Sequence, residues 1–286
     1  MFFSKSKYCG LWQCPKIAWL KKYKPEEYII DENTKSRMEN GNIVGDLAMQ
    51  LFGDYNEVTT YTNNKLDIPK MIEKTKQYML DGLDNICEAS FNYNGLYCAV
   101  DILRKQDNGY AIYEVKSSTH EDNYVYIVDI AYQKYVLEHC GVKVTGTYLV
   151  NINSDYIFDG TLKLNELFKI TDVWKFVVDE QKEVEEKIKM AEKLLEDKNE
   201  PNIDISCNCN SPYKCGFWKY CSKHLPKPSV FDLYRLNFSK KIEYYNRGII
   251  SCDDLEKKGW FLGDIRNRQI EYALHDKGVY VDKENI

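Results

Sequence analysis

Two acidic residues and a lysine lie close together in an otherwise apolar part of the chain. Asp101 falls within the apolar residues 99–103, and Glu114 and Lys116 end the apolar run 111–116. Charges in such surroundings are costly unless they pair with each other or bind a metal ion. Two carboxylates at one site suit a hard divalent cation such as Mg²⁺, which takes oxygen ligands and keeps part of its water shell.

The chemistry that such a cation supports is hydrolysis. Water bound to it loses a proton more readily and becomes a nucleophile, while the cation stabilises charge on a phosphate oxygen. The ammonium of Lys116 could orient that water and contact the phosphate. The three residues therefore predict a phosphodiesterase site. The alternative is a surface ion pair between Lys116 and one of the two acids.

A β-hairpin is expected to bring the three side chains together. The dipeptide Asn108-Gly109 between two apolar runs is typical of a two-residue hairpin turn, in which both turn residues need positive φ. With this dipeptide as the loop, Asp101 is predicted to lie opposite Lys116, and Leu103 opposite Glu114. Opposed residues share a face of the sheet, so the three charges would emerge on one side.

The surrounding pattern predicts a mixed sheet flanked by helices. Asn94-Gly95 is a second hairpin signal, and the two turns together predict a three-stranded antiparallel meander. In chain order, the predicted elements are a short helix opening at Cys14-Pro15, helices at 35–52 and 69–80, strands at 86–93, 96–103 and 110–117, a helix at 126–139, a buried strand at 147–152, an edge strand at 156–158, a long helix capped by Thr171 that ends near Asp197, and short helices with a strand at 278–281.

Composition and charge restrict the class of protein. No apolar run approaches the roughly 20 residues that a bilayer crossing needs, and residues 1–5 lack the pattern of a secretion signal, so the expected location is the cytoplasm. The net charge of −5 argues against a protein that coats DNA indiscriminately. Residues 1–25 and 206–241 are nonetheless basic, which predicts either a phosphate-attracting surface or two ordinary solvated stretches.

The cysteines predict a metal centre. In a reducing compartment, clustered thiols are typical metal ligands and do not form lasting disulfides. Cys209, Cys215 and Cys221 are evenly spaced in a segment that Pro212 and Gly216 allow to curl. Sites with four thiolates hold zinc or an iron–sulfur cluster, and the absence of paired Cys-x-x-Cys favours iron–sulfur. Unrelated buried thiols are the alternative.

The order of these motifs resembles that of the PD-(D/E)xK nucleases, in particular the RecB and Cas4-like branch. Asp101 and then Glu114-Val115-Lys116 match the second and third motifs of this family. The resemblance implies that Asp101, Glu114 and the main-chain carbonyl of Val115 bind Mg²⁺ or Mn²⁺, and that Lys116 assists the attacking water. The first motif of the branch usually carries a histidine ligand, and here Gly45 stands in its place.

The same branch carries a glutamine, usually followed by a tyrosine, on the helix after the lysine strand. Gln133 and Tyr135 occupy that helix, at a closer spacing than is usual. The resemblance implies that they position the DNA and the lysine. For Gln133, the alternative is a purely structural hydrogen bond, because a buried amide needs a partner.

Cas4-like and AddB-like nucleases are also similar to this chain in their cysteines. They bind a [4Fe–4S] cluster through one cysteine before the nuclease core, in a Cys-Pro context, and three after it. The resemblance implies the ligand set Cys14, Cys209, Cys215 and Cys221, with Cys207 competing for the place of Cys209.

Over about residues 8–225, the resemblance implies an α/β fold with a restriction-endonuclease-like core, that is, a mixed central sheet flanked by helices, and a small helical iron–sulfur lobe. The predicted segments are a helix of that lobe (1–30), the nuclease core (31–200), a cysteine-cluster loop (201–228) and a helical C-terminal extension (229–286). The implied function is a metal-dependent DNA nuclease, an exonuclease rather than an endonuclease, acting on single strands or ends. The alternatives are a non-catalytic nucleic-acid-binding module on the same fold and a zinc-stabilised interaction protein.

Overall fold

A computed structural model of the protein describes residues 3–119, 124–259, 262–281 and 283. The chain divides into two compact units, one of Met1–Pro25 with Ile30–Pro201 and one of Glu26–Ile29 with Asn202–Ile286. None of the helices in the described residues combines the length and the apolar character that a bilayer crossing requires.

The first unit contains a mixed β-sheet. Its strands are β1 (Phe3–Ser4), β2 (Asn56–Glu57), β3 (Tyr61–Thr62), β4 (Lys65–Leu66), β5 (Asn85–Tyr93), β6 (Leu96–Gln106), β7 (Gly109–Lys116), β8 (Val144–Ile152) and β9 (Phe168–Asp172). In the described residues the sheet runs β2-β5-β6-β7-β8-β9, and β1 joins it along β6, while β3 and β4 form a separate hairpin. β5, β6 and β7 are the predicted antiparallel meander, β8 runs parallel to β7, and β9 runs antiparallel to β8.

Helices cover both faces of this sheet. Those of the first unit are α1 (Lys5–Gln13), α2 (Pro15–Tyr23), α3 (Glu32–Ala48), α4 (Ile68–Leu80), α5 (Tyr124–His139), α6 (Leu164–Leu167) and α7 (Trp174–Glu196). α5 is apolar on nearly all sides, as expected for a helix enclosed by other elements, and it packs with α1 and α7 over one face. On the other face, Ala48 at the end of α3 shares a buried cluster with Ile102 and Tyr113. The predicted mixed sheet flanked by helices is confirmed.

The second unit is helical. It contains α8 (Trp218–Cys221), α9 (Phe238–Asn246), α10 (Cys252–Lys257) and α11 (Asp264–Leu274), with single 3₁₀ turns at Cys207–Cys209 and Val230–Asp232. A separate apolar cluster, which includes Val230, Leu255 and Ile270, forms its core. The brief strand predicted at 278–281 is wrong: these residues adopt no strand.

The sequence predicts the first hairpin turn of the meander correctly and misplaces the second. Asn94 and Gly95 have φ of 49° and 87° and join paired residues, as expected for this dipeptide. In the second turn, Gln106 pairs with Gly109, so the loop residues are Asp107-Asn108 and the prediction is wrong by two positions in register. Gly109 lies in the strand, and glycine is required at this position because a Cβ would stand 2.3 Å from the carbonyl oxygen of Lys143.

This shift changes which residues oppose each other but not which face they occupy. The observed pairs end at Ile102 with Tyr113, and one further step places Asp101 opposite Glu114 rather than opposite Lys116. Because side chains alternate with a period of two, a shift of two positions leaves all three charges on one side of the sheet.

Two further predictions after the meander are wrong. Residues 156–158 form no strand, because the edge of the sheet next to β8 is occupied by β9. Thr171 does not cap a helix but lies in β9. α7 begins at Trp174, whose N–H donates to the carboxylate of Asp172 at 2.8 Å, so Asp172 satisfies an amide at the start of the helix.

Candidate active site

β6 and β7 separate at the residues that the sequence singles out. The backbone pairing of the two strands ends at Ile102 and Tyr113. Beyond this pair, the N–H of Val115 donates to the side chain of Asp101, at 2.7 Å from Oδ2. β5 occupies one edge of β6 along its length, so β1, which pairs Phe3 with Leu96, must lie on the edge that β7 leaves. Lys5, the first residue of α1, follows β1 directly and therefore lies where β6 and β7 separate.

Glu114 is the centre of the resulting site. Its side chain is 1% exposed. Its carboxylate accepts from Lys116 Nζ at 2.5 Å, from Lys5 Nζ at 3.1 and 3.2 Å, and from Gln133 Nε2 at 2.7 Å. The pKa of Glu114 is raised to about 7, first by burial and then by the charges of Asp101 and Asp129, although the two lysines oppose the rise.

Asp129 completes the set of buried acids. It accepts from Lys116 Nζ at 2.8 Å and from Gln133 Nε2 at 3.0 Å. Burial opposes its ionisation, but the ammonium groups of Lys116 and Lys5 outweigh it and hold the pKa of Asp129 below its ordinary value. Asp129 is not among the residues that the sequence motifs predict for the site. The available signal was its position one helical turn before Gln133 on the same face of an apolar helix.

Lys5 is the second residue that the sequence analysis missed. Its Nζ lies 3.1 Å from Glu114 Oε1, 3.7 Å from Asp101 Oδ1 and 3.9 Å from Asp129 Oδ1. Burial alone would lower the pKa of Lys5, yet these carboxylates raise it well above its ordinary value. We call Lys5, Asp101, Glu114, Lys116 and Asp129 the charged cluster.

Glu88 lies beside the cluster in a strained conformation. It has φ of 56° within β5, between the pairs that Cys87 and Ala89 make with β6. A left-handed residue that is not glycine costs about 1–2 kcal/mol, and such strain is concentrated at functional sites. Burial and then the charge of Asp101 raise the pKa of Glu88 to about 7. Glu88 is thus a fourth acid near the separated strands.

Gln133 and Tyr135 do not act together in the structure. Gln133 is fully buried and bridges two acids of the cluster through Nε2, while its Oε1 has no hydrogen-bond partner among the described residues. Tyr135 instead packs against His139, with ring centroids 4.0 Å apart. Two positions apart on a helix, the side chains point about 200° away from each other. The structure therefore brings Gln133 to the cluster and does not bring Tyr135 there.

The helix α3 contains two glycines, Gly41 and Gly45, and space is open around both. A Cβ on Gly45 would meet no described atom within 4 Å, and one on Gly41 would have Ser117 Oγ as its neighbour at 4.0 Å. Glu39 and Asp46, two acids of the same helix, are exposed. Two interior glycines cost a helix about 1 kcal/mol each, so this open face is not explained by helix stability.

The donor chemistry of the cluster fits a hard divalent cation, although the ammonium of Lys5 lies among the carboxylates. Among the described residues, no group of three or more His, Cys, Asp or Glu side chains is placed to hold a metal ion as it stands. Three carboxylates nevertheless surround one ammonium group, and the orphaned Oε1 of Gln133 is a further buried acceptor. Oxygen donors of this kind are what Mg²⁺ and Mn²⁺ bind.

The cysteines predicted to bind a cluster fall in both units. Cys14 precedes α2 in the first unit, and Cys209, Cys215 and Cys221 are half-buried in the second, where Cys207 is exposed. Within that unit, Cys215 N–H donates to the carbonyl of Cys209 at 2.9 Å. The aromatic residues of this segment pack within the unit: Phe217 lies 5.1 Å from Tyr28, and Trp218 lies 5.1 Å from Phe231, between ring centroids.

Comparison with known proteins adds little. No protein-family model matches the chain, and no curated protein is significantly similar to it. Among solved structures, an alkaline exonuclease from Laribacter hongkongensis is weakly similar, with a TM-score of 0.28 and 11% identity over 60% of this chain and 95% of that chain. A likeness of this size does not establish a function, so the charged cluster must carry the assignment.

Proposed function

We propose that the protein is a metal-dependent DNA nuclease of the PD-(D/E)xK type. The observation that carries the proposal is the convergence of Asp101, Glu114 and Lys116 at the point where β6 and β7 separate. Asp101, Glu114 and the carbonyl of Val115 would hold Mg²⁺ or Mn²⁺. When bound, such an ion lowers the pKa of water and stabilises charge on a phosphate oxygen.

The remaining residues of the site would orient the reacting groups. Lys116 Nζ donates to Glu114 and Asp129, and an ammonium has three donors, so one remains for a water molecule or a phosphate oxygen. Gln133 fixes the orientation of Glu114 through a 2.7 Å hydrogen bond. We regard Gln133 and Asp129 as positioning residues.

The substrate is proposed to be DNA with single strands or free ends. Asp101 and Lys116 each expose about a fifth of the side chain, 23% and 21%, so the cluster can be reached from solvent. The preference for ends, and exonuclease rather than endonuclease cleavage, follow from the resemblance to the RecB and Cas4-like branch.

A cleavage assay tests the proposed function directly. The purified chain is incubated with 5′- and 3′-labelled single- and double-stranded DNA, and with RNA as a comparison, in Mg²⁺, in Mn²⁺ or in EDTA. We expect shortened DNA products in the presence of either cation and none in EDTA, because the proposed reaction needs the cation to lower the pKa of water and to stabilise charge on the phosphate. Intact DNA in both cations would contradict the proposal.

We further propose a structural [4Fe–4S] cluster with Cys14, Cys209, Cys215 and Cys221 as ligands. We expect protein purified anaerobically to absorb in the visible range and to contain iron and acid-labile sulfide. Cys215→Ser should lose both, because a ligand thiolate is removed. Comparing Cys207→Ser with Cys209→Ser decides between these neighbours, and only the second is expected to lose the cluster. Zinc without iron would instead support the zinc-stabilised interaction protein.

A non-catalytic DNA-binding module is the second candidate function. It is favoured by the ammonium of Lys5 among the carboxylates and by Gly45 in place of the histidine. Fluorescence anisotropy with labelled DNA separates the two functions. Binding in Mg²⁺ and Mn²⁺ without any cleavage of the same DNA would support the second candidate.

A further inference from the structure

The charged cluster contains three carboxylates, and the ammonium of Lys116 can balance the charge of only one of them. Asp101, Glu114 and Asp129 bring three carboxylates to one buried place, and Lys116 is held between two of them at 2.5 and 2.8 Å. Like charges this close repel strongly where water is excluded. The ammonium of Lys5 is the second cation that offsets this repulsion in the structure.

Lys5 occupies the place that a divalent cation would take. Its Nζ is within 3.9 Å of an oxygen of each of the three acids. Oxygen ligands stand about 2.0–2.6 Å from Mg²⁺ or Ca²⁺, so the carboxylates are spread around an ammonium and would have to close by roughly 1–2 Å onto a metal ion. An ammonium and a metal ion cannot share this volume.

Lys5 can leave the cluster more easily than Lys116 can. It stands at the first position of α1, directly after the two-residue strand β1. Its hydrogen bonds to Glu114 are 3.1 and 3.2 Å long, longer than the 2.5 and 2.8 Å hydrogen bonds that Lys116 donates to the acids. Four methylene groups allow the ammonium to reach solvent while the backbone stays in place. Lys116, by contrast, lies within the sheet on β7 and bridges acids from a strand and a helix.

We infer that Lys5 is an internal, displaceable counter-cation of the metal site. Its ammonium stabilises the three carboxylates until a divalent cation binds, and it must withdraw for that cation to enter. The inference rests on the proposed metal-dependent function and adds that Lys5 sets the affinity of the site for its metal. Lys5 is a determinant of metal binding here and takes no part in the cleavage step.

The test is direct measurement of Mn²⁺ binding by Lys5→Met, with free Mn²⁺ followed by EPR. In the wild type, Mn²⁺ must displace an ammonium that makes charge-assisted hydrogen bonds, and this cost should lower the affinity for Mn²⁺ by about ten- to a hundredfold. Lys5→Met should therefore bind Mn²⁺ more tightly by that factor. Lys182→Met is the matched control, because Lys182 is 76% exposed and pairs with Asp179 away from the cluster. It should bind Mn²⁺ with wild-type affinity.

Two further variants keep the test decisive if Lys5→Met folds poorly. Lys5→Gln removes the charge but keeps hydrogen-bond donors, and it should also bind Mn²⁺ more tightly. Lys5→Arg keeps the charge and should bind Mn²⁺ no better than the wild type. Equal affinity in the wild type, Lys5→Gln and Lys5→Arg would overturn the inference while leaving the nuclease proposal standing. Absence of Mn²⁺ binding in all variants would overturn both.

Discussion

Glu114→Gln is expected to lower metal-dependent DNA cleavage by at least about a hundredfold while the protein remains folded. The substitution removes a charge that the proposed cation needs but keeps the shape of the side chain. The amide oxygen can still accept from the lysine that lies 2.5 Å from the carboxylate. Because the neighbouring acids and burial already disfavour the ionised form, as the pKa of about 7 indicates, neutralising this position relieves repulsion.

Stability and activity should therefore separate in this variant. We expect the free energy of unfolding of Glu114→Gln to lie within about 1 kcal/mol of the wild type, measured by urea denaturation in EDTA. Glu138→Gln is the matched control, because Glu138 pairs with Lys134 on α5, outside the cluster, and it should cleave DNA normally. Wild-type cleavage by Glu114→Gln would remove Glu114 from the active site.

The fold of the meander can be predicted from sequence because its signals are local. Asn94-Gly95 fixes a hairpin through its own backbone preferences, and the structure has both residues at positive φ. Gly109 shows the limit of the same reasoning. Its role depends on the carbonyl of Lys143, which approaches from the segment before β8, and no pattern around the turn contains that information.

The acids on β6 and β7 can be predicted because they interrupt apolar strands, whereas their partners cannot be found in the same way. Lys5 reaches the cluster only because β1 pairs with β6 where β7 departs, a long-range contact with no local signal. Asp129 had a signal in its spacing from Gln133. Only the family resemblance points to Tyr135, and its position on the helix directs its side chain to His139 instead.

Lys116 has two roles in the structure, and only one of them concerns substrate. Besides its proposed part in cleavage, its ammonium joins Glu114 and Asp129, which are almost completely buried. Removing one partner of a buried ion pair leaves uncompensated charge and costs several kcal/mol. We therefore expect Lys116→Met to abolish cleavage and also to lower the free energy of unfolding by about 3 kcal/mol.

A double-mutant cycle tests whether this loss arises from the stranded carboxylate. Adding Glu114→Gln to Lys116→Met removes the charge that has lost its partner, so the double variant should recover most of the lost stability, with a coupling energy of at least about 1 kcal/mol. Urea denaturation of the four proteins in EDTA measures it. Recovery of stability without recovery of cleavage is the expected result, because both variants lack a residue proposed to act on the substrate.

The same cycle distinguishes two causes for the lower stability of Lys116→Met: loss of the buried ion pair, and loss of the packing contacts that the methylene groups of the lysine make. The ammonium of Lys116 also lies 5.3 Å from the ring centroid of Tyr126, and a methionine side chain would keep apolar contact with that ring. If Lys116→Met and the double variant were equally unstable, packing rather than charge would account for the loss. If the double variant recovers stability, the loss in Lys116→Met arises from the carboxylate of Glu114 that has lost its partner.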